Sequence, residues 1–252
     1  MLNYQNKASV FDLNEAAKQV LSGSLHQLNA CYECCDRHAE ADSEKVALYW
    51  QGKDGRKEQY TFSQLKKWSS QFANFLKAQG VQQGDRVSGL LPRTVELLVV
   101  ILGAWRIGAV YQPLFTAFGP KAIEHRLQLA KSKFVITDVG NRSKLDEVAQ
   151  CPQIITVADI AGLGVEASDL DFWQIVNAES DQCDLVMQSI EAPFLLMFTS
   201  GTTGPAKPLE VPLKALIAFG HYMQDAIGLR DDDAYWNIAD PGWAYGLYYG
   251  IT

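Results

Sequence analysis

Long apolar runs are missing from this 252-residue chain. The longest, Leu97 to Trp105, has nine residues, less than half the roughly 20 that a membrane-crossing helix needs. The first residues lack the charged-then-apolar pattern of an export signal, so no export is expected. Basic charge is also in short supply: 22 Lys and Arg stand against 29 Asp and Glu, a formal charge of −7. That argues against a broad nucleic-acid-binding face and leaves room only for a local anion site. Histidine is sparse, and His26, His38, His125 and His221 are scattered. The five cysteines are an odd number, and no second Cys/His pair stands at zinc-ligand spacing from Cys31, Cys34 and Cys35. At i, i+3 and i+4 these three fit the apolar stripe of a helix in a protein of the reducing cytoplasm. Asp231-Asp232-Asp233 lacks the calcium-loop pattern and reads as a solvated turn. No Gly-x-Ser-x-Gly elbow is present, which weakens a serine-hydrolase reading.

What is present is a globular composition, 48% hydrophobic and 20% charged, with strands and helices in alternation. Val46–Trp50 and a second run ending near Tyr60 read as strands joined at Gly52-Lys53-Asp54-Gly55. Thr61 and Gln64 form a capping-box pattern ahead of apolar residues at helical spacing from Phe62 to Leu76, and Gly80 suits the left-handed position that closes the helix. Strands are expected at Arg86–Leu91, Gly108–Leu114, Phe134–Thr137, Ile154–Val157 and Phe194–Phe198. Helices are expected from Thr94 to Trp105, from Pro120 to Ala130, over Asn141–Ala149, and near Asp171–Ala178. Such alternation predicts an α/β fold with largely parallel sheets flanked by helices.

The chemistry concentrates after Phe198. Thr199-Ser200-Gly201-Thr202-Thr203-Gly204-Pro205-Ala206-Lys207 places four hydroxyls, two glycines and one lysine in nine residues at the end of a strand. Glycines let backbone N–H groups approach oxygen, hydroxyls donate hydrogen bonds, and lysine adds a point charge, which together suit a polyphosphate. The spacing is not that of a Walker loop. A solvent-exposed polar turn has the same composition, so the residues alone leave both readings open.

Residues Thr199 to Gly204 and Lys207 match, position by position, the loop of the adenylate-forming enzymes, the superfamily of acyl-CoA synthetases, luciferases and peptide-synthetase adenylation domains. One departure follows: Pro208-Leu209-Glu210 stands where that family has glycine and small or branched residues. Other segments are similar to the acetyl-CoA synthetase branch. They are Leu28 to Tyr32 with Asp36-Arg37-His38, Gly84-Asp85-Arg86-Val87, Arg106 to Tyr111, Phe115 to Pro120, and Trp236 to Trp243. The resemblance covers roughly Leu25 to Thr252.

The resemblance implies an AMP-forming acid–thiol ligase that uses ATP, Mg²⁺ and coenzyme A to activate a carboxylic acid, acetate or another short acid. Thr199, Ser200, Thr202, Thr203 and Lys207 would contact the ATP phosphates, with Gly201 and Gly204 giving backbone room. Trp243 and Tyr245 would face the acyl or pantetheine side, although packing in the core is an equal reading for this aromatic stretch. The family's magnesium-holding glutamate, ribose-binding aspartate and adenylating lysine have no counterpart before Thr252, so no catalytic residue is expected in this stretch. Residues 1–252 are therefore expected to be the N-terminal portion of the AMP-binding domain, without its remainder or the C-terminal lid, and inactive alone. A non-catalytic nucleotide-binding remnant and an interaction module that keeps the fold are the alternatives.

Overall fold

The computed structural model describes residues 11–199, 204–230 and 232–251. Helix α1 (Leu13–Val20) is capped by the Asp12 carboxylate, which accepts from the backbone N–H groups of Asn14 and Glu15. A helical segment with a π-turn over Tyr32–Asp36 runs into α2 (Arg37–Ala41). It carries the cysteine trio as the sequence spacing predicts: Cys31 and Cys35 are buried and Cys34 is half-buried. Burial pushes all three thiols up, that of Cys34 to about 12, so they pack as small apolar groups rather than react.

Strands β1 (Val46–Gln51) and β2 (Lys57–Thr61) form a separate antiparallel hairpin. Helix α3 (Phe62–Ala78) starts on the predicted capping box, with Thr61 and Gln64 each satisfying the other's backbone N–H. Gly80 closes it at φ 78°. The main sheet then forms from β3 (Arg86–Leu90), β4 (Val110–Pro113), β5 (Phe134–Asp138), β6 (Gln153–Val157), β7 (Leu170–Asp171), β8 (Pro193–Thr199) and β9 (Lys207–Pro212). Their order is β7-β6-β5-β3-β4-β8-β9, and every pairing is parallel except β8 with β9.

Helices cover both faces because the strands are apolar on both. On β5, Phe134 and Ile136 join the core under α3, α4 (Val95–Arg106) and α7 (Phe172–Asn177). Val135, pointing the other way, packs with Ile123 and Leu127 of α5 (Pro120–Ala130). On β8, Leu195 and Met197 face the first core, joined by Phe194 across the register shift after Pro193, while Leu196 meets Val110 and Ala130 on the α5 side. The parallel β4–β8 pair therefore presents two carboxyl ends together, the usual place for a ligand in such sheets.

Three expectations are corrected. The predicted helix over Asn141–Ala149 is only a turn, α6 (Val139–Arg142), followed by a 3₁₀ turn at Ser143–Leu145. Asn141 is drawn back to the Asp138 carboxylate at 2.6 Å, and Arg142 is held between Asp146 and Asp169, so side-chain bonds replace the helical repeat. The strand expected from Gly108 begins at Val110, because Gly108 takes φ 71° in the turn before it. The segment after Lys207 is a strand, β9, where no element was expected. It is an edge strand paired only with β8, so Pro208 and Pro212 deny no partner a donor. Helices α8 (Ala215–His221) and α9 (Ala244–Tyr248) complete the described residues.

Candidate functional site at the carboxyl end of the sheet

The β8–β9 register places Thr199 directly opposite Lys207. The loop singled out in the sequence is therefore the connection of a hairpin, with its first hydroxyl and its lysine facing each other at the base. Thr199, Gly204 and Lys207 are all exposed there, while Ser200, Gly201, Thr202 and Thr203 lie outside the described residues. Among the described residues no carboxylate forms an ion pair with Lys207. At Gly204 a Cβ would meet nothing within 4 Å, and its φ is not in the left-handed range.

Beside the hairpin base lies a cleft of about 140 Å³, with Pro113 at the end of β4, Thr199 at the end of β8, and Trp243 on its wall. Trp243 is held by two aromatic neighbours, Phe115 with ring centroids at 5.5 Å and Phe118 at 6.0 Å, yet it stays 47% exposed. Within this chain it is therefore not part of the core. The turn before it is fixed by hydrogen bonds: the Asp240 carboxylate accepts from Gly242 N–H at 2.7 Å and its carbonyl from Trp243 N–H at 3.0 Å. Gly242 is required there, since a Cβ would come within 2.5 Å of the Phe115 backbone. Tyr245 does not line this cleft; its hydroxyl meets that of Tyr222 and its ring lies 4.9 Å from that of Tyr249.

Helix α5 contributes two residues that the sequence did not single out for this site. His125 Nε2 donates to the Ala206 carbonyl at 2.8 Å, one residue before Lys207. The Arg126 guanidinium lies over Phe118 at 4.1 Å and over Phe198 at 5.4 Å, and it lines the cleft with Thr199. One of its N–H groups goes to the Ala122 carbonyl at 2.9 Å. Only the predicted helix from Pro120 to Ala130 pointed toward these residues, because their hairpin partner is 81 residues further on.

Two of the resembling segments also meet far from the cleft. Asp36 and Arg106 form a buried bidentate ion pair at 2.7 and 2.8 Å, and Ser69 Oγ accepts a third N–H of the guanidinium at 3.2 Å. Their role is to join the cysteine-bearing helix to α3 and α4.

The sheet and hairpin define a class: an α/β protein whose parallel strands end at a hairpin with a glycine- and hydroxyl-rich connection. Comparison with known proteins narrows it. The AMP-binding enzyme family matches residues 35–252. Acetyl-coenzyme A synthetase of Bacillus subtilis (strain 168) is 36% identical over 254 residues, covering 99% of this chain and 44% of that protein. The acetyl-coenzyme A synthetase of Shewanella denitrificans is 32% identical over 266 residues, covering 98% and 41%. Among solved structures, an acyl-CoA synthetase of Brucella canis superposes with a TM-score of 0.92 at 48% identity, covering all of this chain and 46% of that one. The chain belongs to the AMP-binding enzyme family, in its acetyl-CoA synthetase-like branch. It spans less than half the length of these relatives.

Proposed function

We propose that this chain supplies the phosphate loop and part of the acid site of an AMP-forming acyl-CoA synthetase. A carboxylate oxygen attacks the α-phosphorus of ATP, a new P–O bond forms, and pyrophosphate leaves. The thiol of coenzyme A then attacks the acyl carbon, loses its proton and expels AMP. The first step brings two anions together, so donors that hold the β- and γ-phosphates lower its barrier. Thr199, Ser200, Thr202, Thr203 and Lys207 fill that role, and Gly201 and Gly204 give the phosphates room against the backbone. Trp243, which lines the cleft, and Tyr245 belong to the acyl or pantetheine side. Mg²⁺ would neutralise charge on the triphosphate. The described residues hold no cluster of three or more metal-ligating side chains, so no residue of this chain is assigned to it.

The observation that carries this reading is the Thr199–Lys207 pairing, which supports the loop at the mouth of the cleft that Trp243 lines. A short carboxylic acid such as acetate fits the size of the cleft and the relatives' names. Five free cysteines fit a cytoplasmic setting, and among the described residues no helix is long and apolar enough to cross a membrane.

The test is ATP–pyrophosphate exchange by the full-length protein across a panel of carboxylic acids, with exchange expected only when an acid is present. Lys207→Ala should cost about 1.5–3 kcal/mol in ATP use by removing one charge-assisted contact, while acid binding changes little. Unchanged ATP kinetics in that variant would remove the phosphate role. Nucleotide binding without exchange on any acid would favour a non-catalytic remnant.

A further inference from the structure

We infer that Arg126 is a second cationic contact for the nucleotide phosphates, additional to Lys207 and reaching them from the cleft that Thr199 also lines. The inference rests on the phosphate-loop reading above and adds a residue that neither the loop motif nor the relatives' names point to.

Three observations carry it. The first is that among the described residues the guanidinium has no counter-ion. Its one hydrogen bond goes to the Ala122 carbonyl and its other contacts are the rings of Phe118 and Phe198, so most of its five N–H donors are unspent. No carboxylate stands close enough to raise its pKa, and burial alone lowers it. A cation kept partly from water without an anion is costly, and a bound anion would offset that cost. The fully buried arginines, Arg106 and Arg142, have found carboxylates, and half-buried Arg86 spends its guanidinium on the carbonyls of Ala130 and Gly84.

The second observation is place. Arg126 and Thr199 line the same small cleft, which is otherwise almost wholly apolar. The third is that α5 grips both stems of the hairpin. Arg126 stacks on Phe198, immediately before Thr199, and the neighbouring His125 holds the Ala206 carbonyl, immediately before Lys207. The helix that carries the free guanidinium is thus fixed to the stems of the loop itself. A planar fork of N–H groups matches paired phosphate oxygens, and flat aromatic partners orient that fork without consuming its donors.

The test uses the full-length protein and a non-hydrolysable ATP analogue, titrated by calorimetry, with thermal unfolding of every variant alongside. Arg126→Met keeps an apolar stem between the two rings and removes the charge. It should weaken analogue binding about tenfold to a hundredfold and leave the KM for the acid within about twofold. Arg126→Lys, which restores the charge but not the fork, should recover part of that loss. If Arg126→Met folds poorly, Arg126→Gln is read by the same criterion. Unchanged analogue binding overturns the inference, whether the melting temperature falls or not, because Arg126 is then a structural stacked cation. A rise in the acid KM alone also overturns it and gives the guanidinium to the carboxylate. Lys207→Ala is measured in parallel. If neither variant weakens binding, the phosphate-loop reading itself fails; if only Lys207→Ala does, the loop stands and the role of Arg126 falls.

Discussion

Two arginines, twenty positions apart, show how differently this fold treats a withdrawn charge. Arg106 is 2% exposed, and its guanidinium is clamped by both oxygens of Asp36 and by Ser69. Burial works against its charge, and the Asp36 carboxylate helps to more than offset that, leaving its pKa raised. Arg126 is only half-buried, has aromatic rings for neighbours, and its pKa is lowered by burial with no carboxylate to counter it. One charge is settled inside the protein and joins helices. The other is left open at a cleft mouth. A charge satisfied internally contributes to structure, whereas one held out of water without a partner is available to a ligand.

The sharpest way to break that contrast is to remove each side chain. Arg106→Met would strand the Asp36 carboxylate in the core and should cost about 3–5 kcal/mol in urea unfolding. Arg126→Met loses stacking and one hydrogen bond to the Ala122 carbonyl and should cost about 1–2 kcal/mol. Equal losses would end the distinction. Pairing Arg106→Met with Asp36→Leu should recover most of the larger loss, since a buried pair replaced by apolar groups is often neutral.

A smaller effect probes the cleft wall. Because Trp243 is nearly half exposed, Trp243→Ala should leave the melting temperature almost unchanged. If its indole limits the acyl pocket, the variant should move kcat/KM toward longer acids. Each added methylene is worth about 0.8 kcal/mol, so two shift the ratio by roughly tenfold. An unchanged ranking over acids of two to six carbons would remove Trp243 from the pocket. A purely local effect belongs to a site with neither a buried charge nor a ligand: Thr61→Ala breaks the Oγ1 bond to Gln64 N–H and should cost about 1 kcal/mol, with nucleotide binding intact.

How much was legible in the sequence follows the range of the interactions involved. The capping box at Thr61, the left-handed Gly80 and the proline opening α5 are short-range devices, and all appear where the residue pattern puts them. Apolar runs such as Phe194 to Phe198 read as buried strands because they are apolar on both faces. The 141–149 helix failed because Arg142 pairs with Asp169, 27 residues away, a contact no local pattern reveals. Strand β9 was missed because two prolines discourage a strand, and only its edge position in the sheet makes them harmless.

The candidate site divides along the same line. Residue types and spacing from Thr199 to Lys207 determined that a glycine- and hydroxyl-rich loop with a lysine follows a buried strand, since these are properties of a contiguous segment. The cysteine spacing likewise determined a packed helix face. Only the tertiary structure decided that the loop is the turn of a hairpin, with Thr199 facing Lys207, and that Trp243 lies at its base while Tyr245 turns toward Tyr222. It alone decided that one arginine is neutralised and the other left free. Charge pairing and cleft formation depend on which surfaces the sheet order brings together, and strands distant in sequence become neighbours only once the whole sheet has assembled.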